Sequence, residues 1–159
     1  MERKIVAQLL DWKDSAARSP LVLQGARQIG KTYSVLYFAG KAYRNSVYCN
    51  FEREKGLTSL FGDLSPRSIL AKLSALKRQQ ILPGQTLVIF DEVQCCPEAL
   101  TSLKYFCEDA NEYHVMATGS LLGVSVNRGE NSFPVGKVQF MNMYPMDFEE
   151  YLLARGEEF

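Results

Sequence analysis

No apolar run in the 159-residue sequence approaches the roughly 20 residues that a membrane-spanning helix requires. The N-terminal stretch MERKIVAQLLDWKD also lacks the long apolar core of a signal peptide, so the expectation is a cytoplasmic protein with no membrane partner. Charge of one sign is not in excess: eighteen Lys and Arg balance eighteen Asp and Glu, and no global field draws the chain to nucleic acid. Cysteine is scarce. Cys49, Cys95, Cys96 and Cys107 contain no C-x-x-C pair of the kind that binds zinc or cycles redox state. Cys95 and Cys107 flank a predicted helix that separates them beyond disulfide reach, so all four are read as reduced and mostly buried. The single histidine, His114, has no cysteine or acid at ligand spacing and is read as structural. Repeats, low-complexity tracts and linkers are missing too, which leaves one compact domain.

Against these absences one stretch stands out: Leu21 to Thr32 reads LVLQGARQIGKT and fits the Gly-x-x-x-x-Gly-Lys-Thr pattern of a phosphate-binding loop. Gly25 and Gly30 let the backbone curl so that successive N–H groups turn inward and form an anion nest. Lys31 brings a point charge to the outer phosphates, and the Thr32 hydroxyl is suited to holding magnesium. A following helix aims its positive dipole end at the same phosphates. The setting is right as well, since apolar Leu21, Val22 and Leu23 precede the loop and a helical pattern through Val35, Leu36, Phe38 and Ala39 follows. The expected nucleotide-binding set is Gly25, Ala26, Arg27, Gln28, Ile29, Gly30, Lys31, Thr32 and Tyr33, with Arg27 and Gln28 at loop positions that face outward.

Ahead of the loop, residues 1–19 carry a leading helix with Ile5, Val6, Leu9, Leu10 and Trp12 on one face, ended by Ser19 and Pro20; residues 20–159 form the core of the domain. That helix belongs to the core and is also placed to border a nucleotide base. Ser46–Phe51 reads as a second strand, and a brief helical turn is predicted around Leu57 to Phe61. Ser65 and Pro66 open a helix whose Ile69, Leu70, Leu73 and Leu76 share a face and which Pro83-Gly84 stops. Thr86 to Phe90 is a continuous apolar strand delivered into Asp91-Glu92. Pro97 starts a further helix with Leu100, Leu103, Phe106 and Ala110 inward, followed by a strand over Tyr113–Thr118 and the polar tip Gly119-Ser120. Residues after Leu121 suggest a loop or hairpin tipped near Arg128 to Asn131. A fifth strand is predicted over Lys137–Met143, and a closing helix follows with Asp147 and Glu150 as a capping box and Gly156 as its stop. Strands and helices alternate, so the predicted fold is α/β with a mainly parallel sheet covered on both faces.

Asp91 is the candidate second holder of magnesium, because a carboxylate ending a neighbouring strand serves that role in phosphoryl transfer. Glu92, beside it, is the candidate base for an attacking water, a group that hydrolysis requires and that transfer to a substrate hydroxyl need not share.

With these motifs in view, the chain resembles the AAA-related ATPases of bacteria and archaea whose ATP-binding domain precedes a C-terminal domain of unknown function. GARQIGKT, LVIFDEVQ, ATGSLLGV, SFPVGKV and YPMDFEEYL stand where that family has its blocks. The resemblance implies a P-loop three-layer sandwich around a five-stranded parallel sheet, in which the strand ending at Ser120 lies between the loop strand and the acidic strand. It further implies ATP as the nucleotide, Ser120 as a polar sensor of the terminal phosphate or the attacking water, and hydrolysis serving as the motor or switch of a larger protein. Gln94 falls in one of the blocks and reads as a helix-entry residue. Two departures from the family pattern matter. Gly136-Lys137 stands where relatives have Gly-Arg, and lysine lacks arginine's planar fork, so neither Lys137 nor Arg128 is an adequate arginine finger. Relatives also continue beyond a position like Phe159, so the expected partners include a C-terminal domain and a second copy of the chain, and the domain alone should turn over slowly. A phosphate-loop kinase and a nucleotide-stabilised binding module are the competing classes; the kinase would need an arginine-bearing lid, and a pure binder has no use for Glu92.

Overall fold

The computed structural model describes residues 2–120 and 136–156. Helix α1 (Ile5–Asp14) leads into β1 (Leu21–Gln24), the loop and α2 (Lys31–Ala42). Strand β2 (Asn45–Asn50), a 3-10 turn over Lys55–Phe61 and α3 (Pro66–Lys77) follow. After them come β3 (Thr86–Asp91), a short 3-10 turn at Val93–Cys95, α4 (Pro97–Asp109), β4 (His114–Gly119), β5 (Gln139–Asn142) and α5 (Phe148–Ala154). Among the described residues the five strands make one sheet in the order β2-β3-β4-β1-β5, parallel at every pairing.

Two apolar layers sandwich this sheet because successive strand residues point to opposite faces. Leu21 and Leu23 of β1, with Leu87 and Ile89 of β3, join Ile5, Val6, Leu9 and Trp12 of α1 and Val35 and Phe38 of α2. Val22, Val88 and Phe90 point the other way, into Phe51, Phe61, Ile69 and Leu73, and into Leu100, Leu103 and Phe106 of α4. Phe90 lies at the centre of that second layer, with ring centroids 5.7 Å from Phe51, 5.3 Å from Phe61 and 6.3 Å from Phe106. Every residue of β3 is buried, as its unbroken apolar run requires of a strand covered on both faces.

The register brings the polar ends of the strands to one edge: Gln24 pairs with Gly119, and Asn50 with Asp91. Strand β4 lies between β1 and β3, as the family resemblance implies. At the opposite end His114 is half-buried, with its Nδ1 2.6 Å from the Tyr43 hydroxyl and its ring 5.9 Å from that of Trp12. Burial, then the nearby Arg18 and Lys13 charges, holds His114 down to about 4, so it is a neutral packing group.

Several local expectations change. Helix α3 stops at Arg78, whose left-handed backbone (φ 53°) turns the chain so that the Gln79 amide also reaches the Ser74 carbonyl, at 3.2 Å, well before Pro83-Gly84. Leu76 shares the apolar stripe but lies in the final turn, where the stripe outruns its cover, and is 56% exposed. Ser65 occupies the N-cap position without a side-chain cap bond. Cys49 and Cys96 are buried, whereas Cys95 is exposed and Cys107 half-buried; all four are free thiols. The capping box of α5 is present in full. The hairpin expected near Arg128 to Asn131 lies outside the described residues.

The contrast within α3 is open to measurement. Leu73→Ala, at a position with no exposed surface, is expected to cost about 2–5 kcal/mol in urea unfolding. Leu76→Ala should stay within about 0.5 kcal/mol, the range of surface substitutions. Equal losses would contradict the observed end of the stripe.

Candidate functional site

The loop between β1 and α2 is built as its glycines require. A Cβ on Gly25 would come within 2.4 Å of the Met143 carbonyl oxygen and 2.7 Å of Ile29 Cδ1, so the backbone just past β5 can approach only a glycine. Gly30 has φ +93°, a left-handed conformation that launches α2. The Gly25 amide bonds the Gly119 carbonyl at 3.3 Å, which ties the start of the loop to the end of β4.

Lys31 folds back along this loop, its Nζ donating to the carbonyls of Gly25 at 2.8 Å and Ala26 at 2.6 Å. Burial pulls the ammonium below its ordinary range, while Glu92 and Asp91 act in the opposite direction. The charge is held inside the loop's curve, where an anion would meet it.

Asp91 is buried and fully engaged. Its Oδ2 accepts from Thr32 Oγ1 at 2.8 Å and from the Tyr48 hydroxyl; its Oδ1 accepts from the Thr118 hydroxyl and from the Glu92 amide at 3.0 Å. Burial, then the bond to Asp91, pushes the Tyr48 phenol up to about 12, so it remains a donor. Thr32 and Asp91 thus place a hydroxyl and a carboxylate oxygen side by side, the hard oxygen chemistry that suits magnesium.

Glu92 leaves the strand in a left-handed conformation (φ 57°), a strain of about 1–3 kcal/mol of the kind that gathers at functional sites. Its amide reaches Asp91 and, at 3.3 Å, Thr118 Oγ1, and its carboxylate accepts from Gln94 Nε2 at 2.5 Å. Gln94, expected only to open a helix, therefore tethers the acid beside it. A cavity of about 440 Å³ opens here, lined by Arg27, Gln28, Gly30, Lys31, Thr32, Tyr33, Glu52, Arg53 and Glu92.

Most of the residues marked in the sequence thus meet at one edge of the sheet. Arg27 and Gln28 are exposed yet line the cavity, and Tyr33 lies on the outer side of α2 with its ring 6.2 Å from Tyr37. Within the loop Gly25 is buried, Ala26 exposed and Ile29 half-buried, and Asp91 is buried at the end of β3. Ser120 is half-buried just past β4, one residue beyond the carbonyl that holds Gly25, and does not line the cavity. Lys137 pairs with Glu108 at 3.9 Å rather than reaching the cavity, and Arg128 lies outside the described residues.

Sequence reasoning missed Tyr48, Thr118, Arg53 and Arg3. Tyr48 and Thr118 were within reach of it, since each sits near a strand end beside Asp91; Arg3 had no signal. Arg3 is 6% exposed and donates from Nη1 to the Ile29 carbonyl at 2.7 Å. It thereby brings the start of α1 against the loop.

A family model described as an AAA domain matches residues 17–152. Among solved structures, the Walker-type ATPase of Pyrococcus abyssi superposes with a TM-score of 0.58 at 19% identity, over 98% of this chain and 57% of that one. The ORC1 protein of Aeropyrum pernix, solved in complex with DNA, superposes at 0.55 with 15% identity over 97% and 47%. The chain therefore spans about half the length of either neighbour, and the likeness is one of fold. A search of curated proteins gives no match. Among the described residues no helix is long and apolar enough to cross a membrane.

The close approach at Gly25 generates one expectation. Gly25→Ala must displace either the loop or the Met143 backbone, so affinity for magnesium–ATP should fall by at least about tenfold while the far-ultraviolet spectrum stays folded. Unaltered affinity would mean that the loop tolerates a methyl group where the Met143 carbonyl now sits.

Proposed function

The chain belongs to the AAA domain family, a P-loop ATPase fold, and from that premise we propose that it binds ATP with magnesium and hydrolyses it to ADP and phosphate. The observation that carries this reading is the juxtaposition at one strand end: Thr32 Oγ1 lies 2.8 Å from Asp91, with Lys31 in the loop and Glu92 at the cavity wall. The anion nest and Lys31 take the phosphates. Thr32 and Asp91 would hold magnesium, which would supply charge neutralisation at the phosphates. Glu92 orients a water and accepts its proton, with Gln94 fixing the carboxylate. Ser120 is assigned the polar sensor role on the family resemblance alone, since it lies just past β4 and outside the cavity lining. Hydrolysis is preferred to bare binding because Glu92 faces the cavity in a strained backbone, a cost that a binding module has no reason to carry. ATP over other nucleotides follows from the family.

On this reading the domain is the motor or switch part of a larger cytoplasmic protein. Arg27 and Arg53 add positive charge at the rim, but both are exposed and lose much of their pull to solvent. A neighbouring protomer or a C-terminal domain supplies the planar donor, so the chain by itself turns over slowly.

Two variants separate the assigned roles. Glu92→Gln is expected to keep magnesium–ATP affinity and lose about 10²–10⁴ in single-turnover rate. Asp91→Asn should weaken magnesium dependence and also lower stability, because an amide nitrogen now faces hydroxyl and amide donors. Matching binding and rate profiles for the two variants would defeat the division of labour between the carboxylates.

A further inference from the structure

Arg3 makes three contacts that join segments far apart in sequence. Its Nη1 donates to the Ile29 carbonyl at 2.7 Å, its Nη2 to the Tyr144 carbonyl at 2.8 Å, and its Nε lies 3.1 Å from Glu150 Oε1. Both side chains of the ion pair are 7% exposed. Glu150 is itself anchored: one oxygen accepts the Asp147 amide at 3.0 Å in the capping box, the other the Lys4 amide at 2.9 Å. Burial works against its charge, but the Lys4 amide and Arg3 hold its carboxyl below the usual range. The guanidinium is therefore fixed from both sides, and the Ile29 carbonyl is fixed by it.

The consequence lies in the next peptide group. No peptide bond among the described residues is cis, and in a trans peptide the carbonyl of one residue and the N–H of the next point in opposite directions. A carbonyl held outward on Arg3 leaves the Gly30 N–H facing inward, and Gly30 lines the cavity. The absence of a side chain at Gly30 helps, since a Cβ there would already lie 3.4 Å from Arg3 Nη1.

We propose that Arg3 is a positioning residue of the phosphate loop: anchored by Glu150, it holds the Ile29–Gly30 peptide so that the Gly30 amide is presented to a bound phosphate. This rests on the nucleotide-binding reading and adds to it a residue outside the loop, 147 positions from its own anchor. The planar fork is essential to the role. A lysine keeps the charge yet cannot hold two carbonyls and a carboxylate in one plane.

The test uses the whole chain and magnesium–ADP, with affinity from calorimetry and the Gly30 amide proton followed by NMR. The wild type is expected to bind ADP and to shift the Gly30 amide downfield as it donates to phosphate. Arg3→Lys should lose about 10–100-fold in ADP affinity, the usual cost of a hydrogen bond to a charged group, and its Gly30 amide should fail to move. A purely structural role for Arg3 would lower the melting temperature without changing that resonance. Glu150→Gln, which retains capping-box chemistry, should show the same two effects in weaker form, and it decides the matter should Arg3→Lys not fold. ADP affinity within twofold of wild type and a normal Gly30 shift in the folded variant would overturn the proposal alone. A wild type that binds no ADP would instead remove the nucleotide reading beneath it.

Discussion

A carboxylate buried at the end of a fully covered strand must be supplied with donors, and at Asp91 the fold supplies them from four directions. Thr32 comes from the first turn of α2, Tyr48 from β2, Thr118 from β4, and the Glu92 amide from the residue that follows. An unpaired charge at this depth would cost several kcal/mol, so the sheet order, the position of α2 and the left-handed turn at Glu92 are all constrained by one side chain. The same network sets the site. It places the Thr32 hydroxyl beside a carboxylate oxygen and turns the Glu92 side chain toward the cavity wall.

The opposite side of the loop is held by a second buried charge. Arg3 and Glu150 connect α1, the loop and α5: Nη1 and Nη2 donate to the Ile29 and Tyr144 carbonyls, and Nε lies 3.1 Å from Glu150 Oε1. The loop thus lies between two anchored charged groups, Asp91 at the end of β3 and the Arg3–Glu150 pair at the helices. Preorganised backbone donors of this kind bind anions well because little reorganisation remains to be done when the ligand arrives. The cavity in front stays open and carries charges of both signs.

Where sequence patterns were read, their success followed the range of the interaction. The apolar run Thr86 to Phe90 announces a strand buried on both faces, and the Asp147/Glu150 spacing announces a capping box, because each depends on neighbours within a few residues. Leu76 shows the limit: helical periodicity gives the direction in which it points, but its exposure depends on where the covering elements end. Cys95 is a similar case, exposed on a turn between half-buried Gln94 and buried Cys96.

The sequence by itself determined the loop, the strand that ends in Asp91-Glu92, the alternation of strands and helices, and through the family resemblance the placing of β4 between β1 and β3. These are legible because glycine spacing, short-range periodicity and block order are written along the chain. Only the tertiary structure decided that Tyr48 and Thr118 complete the shell of Asp91, that Gln94 holds Glu92, that Lys137 turns to Glu108, and that Arg3 reaches the loop from 26 residues before Ile29 while pairing with Glu150. The physical reason is that a buried polar group specifies the chemistry of its partner and not the partner's place in the sequence; which residue answers is fixed when the elements pack.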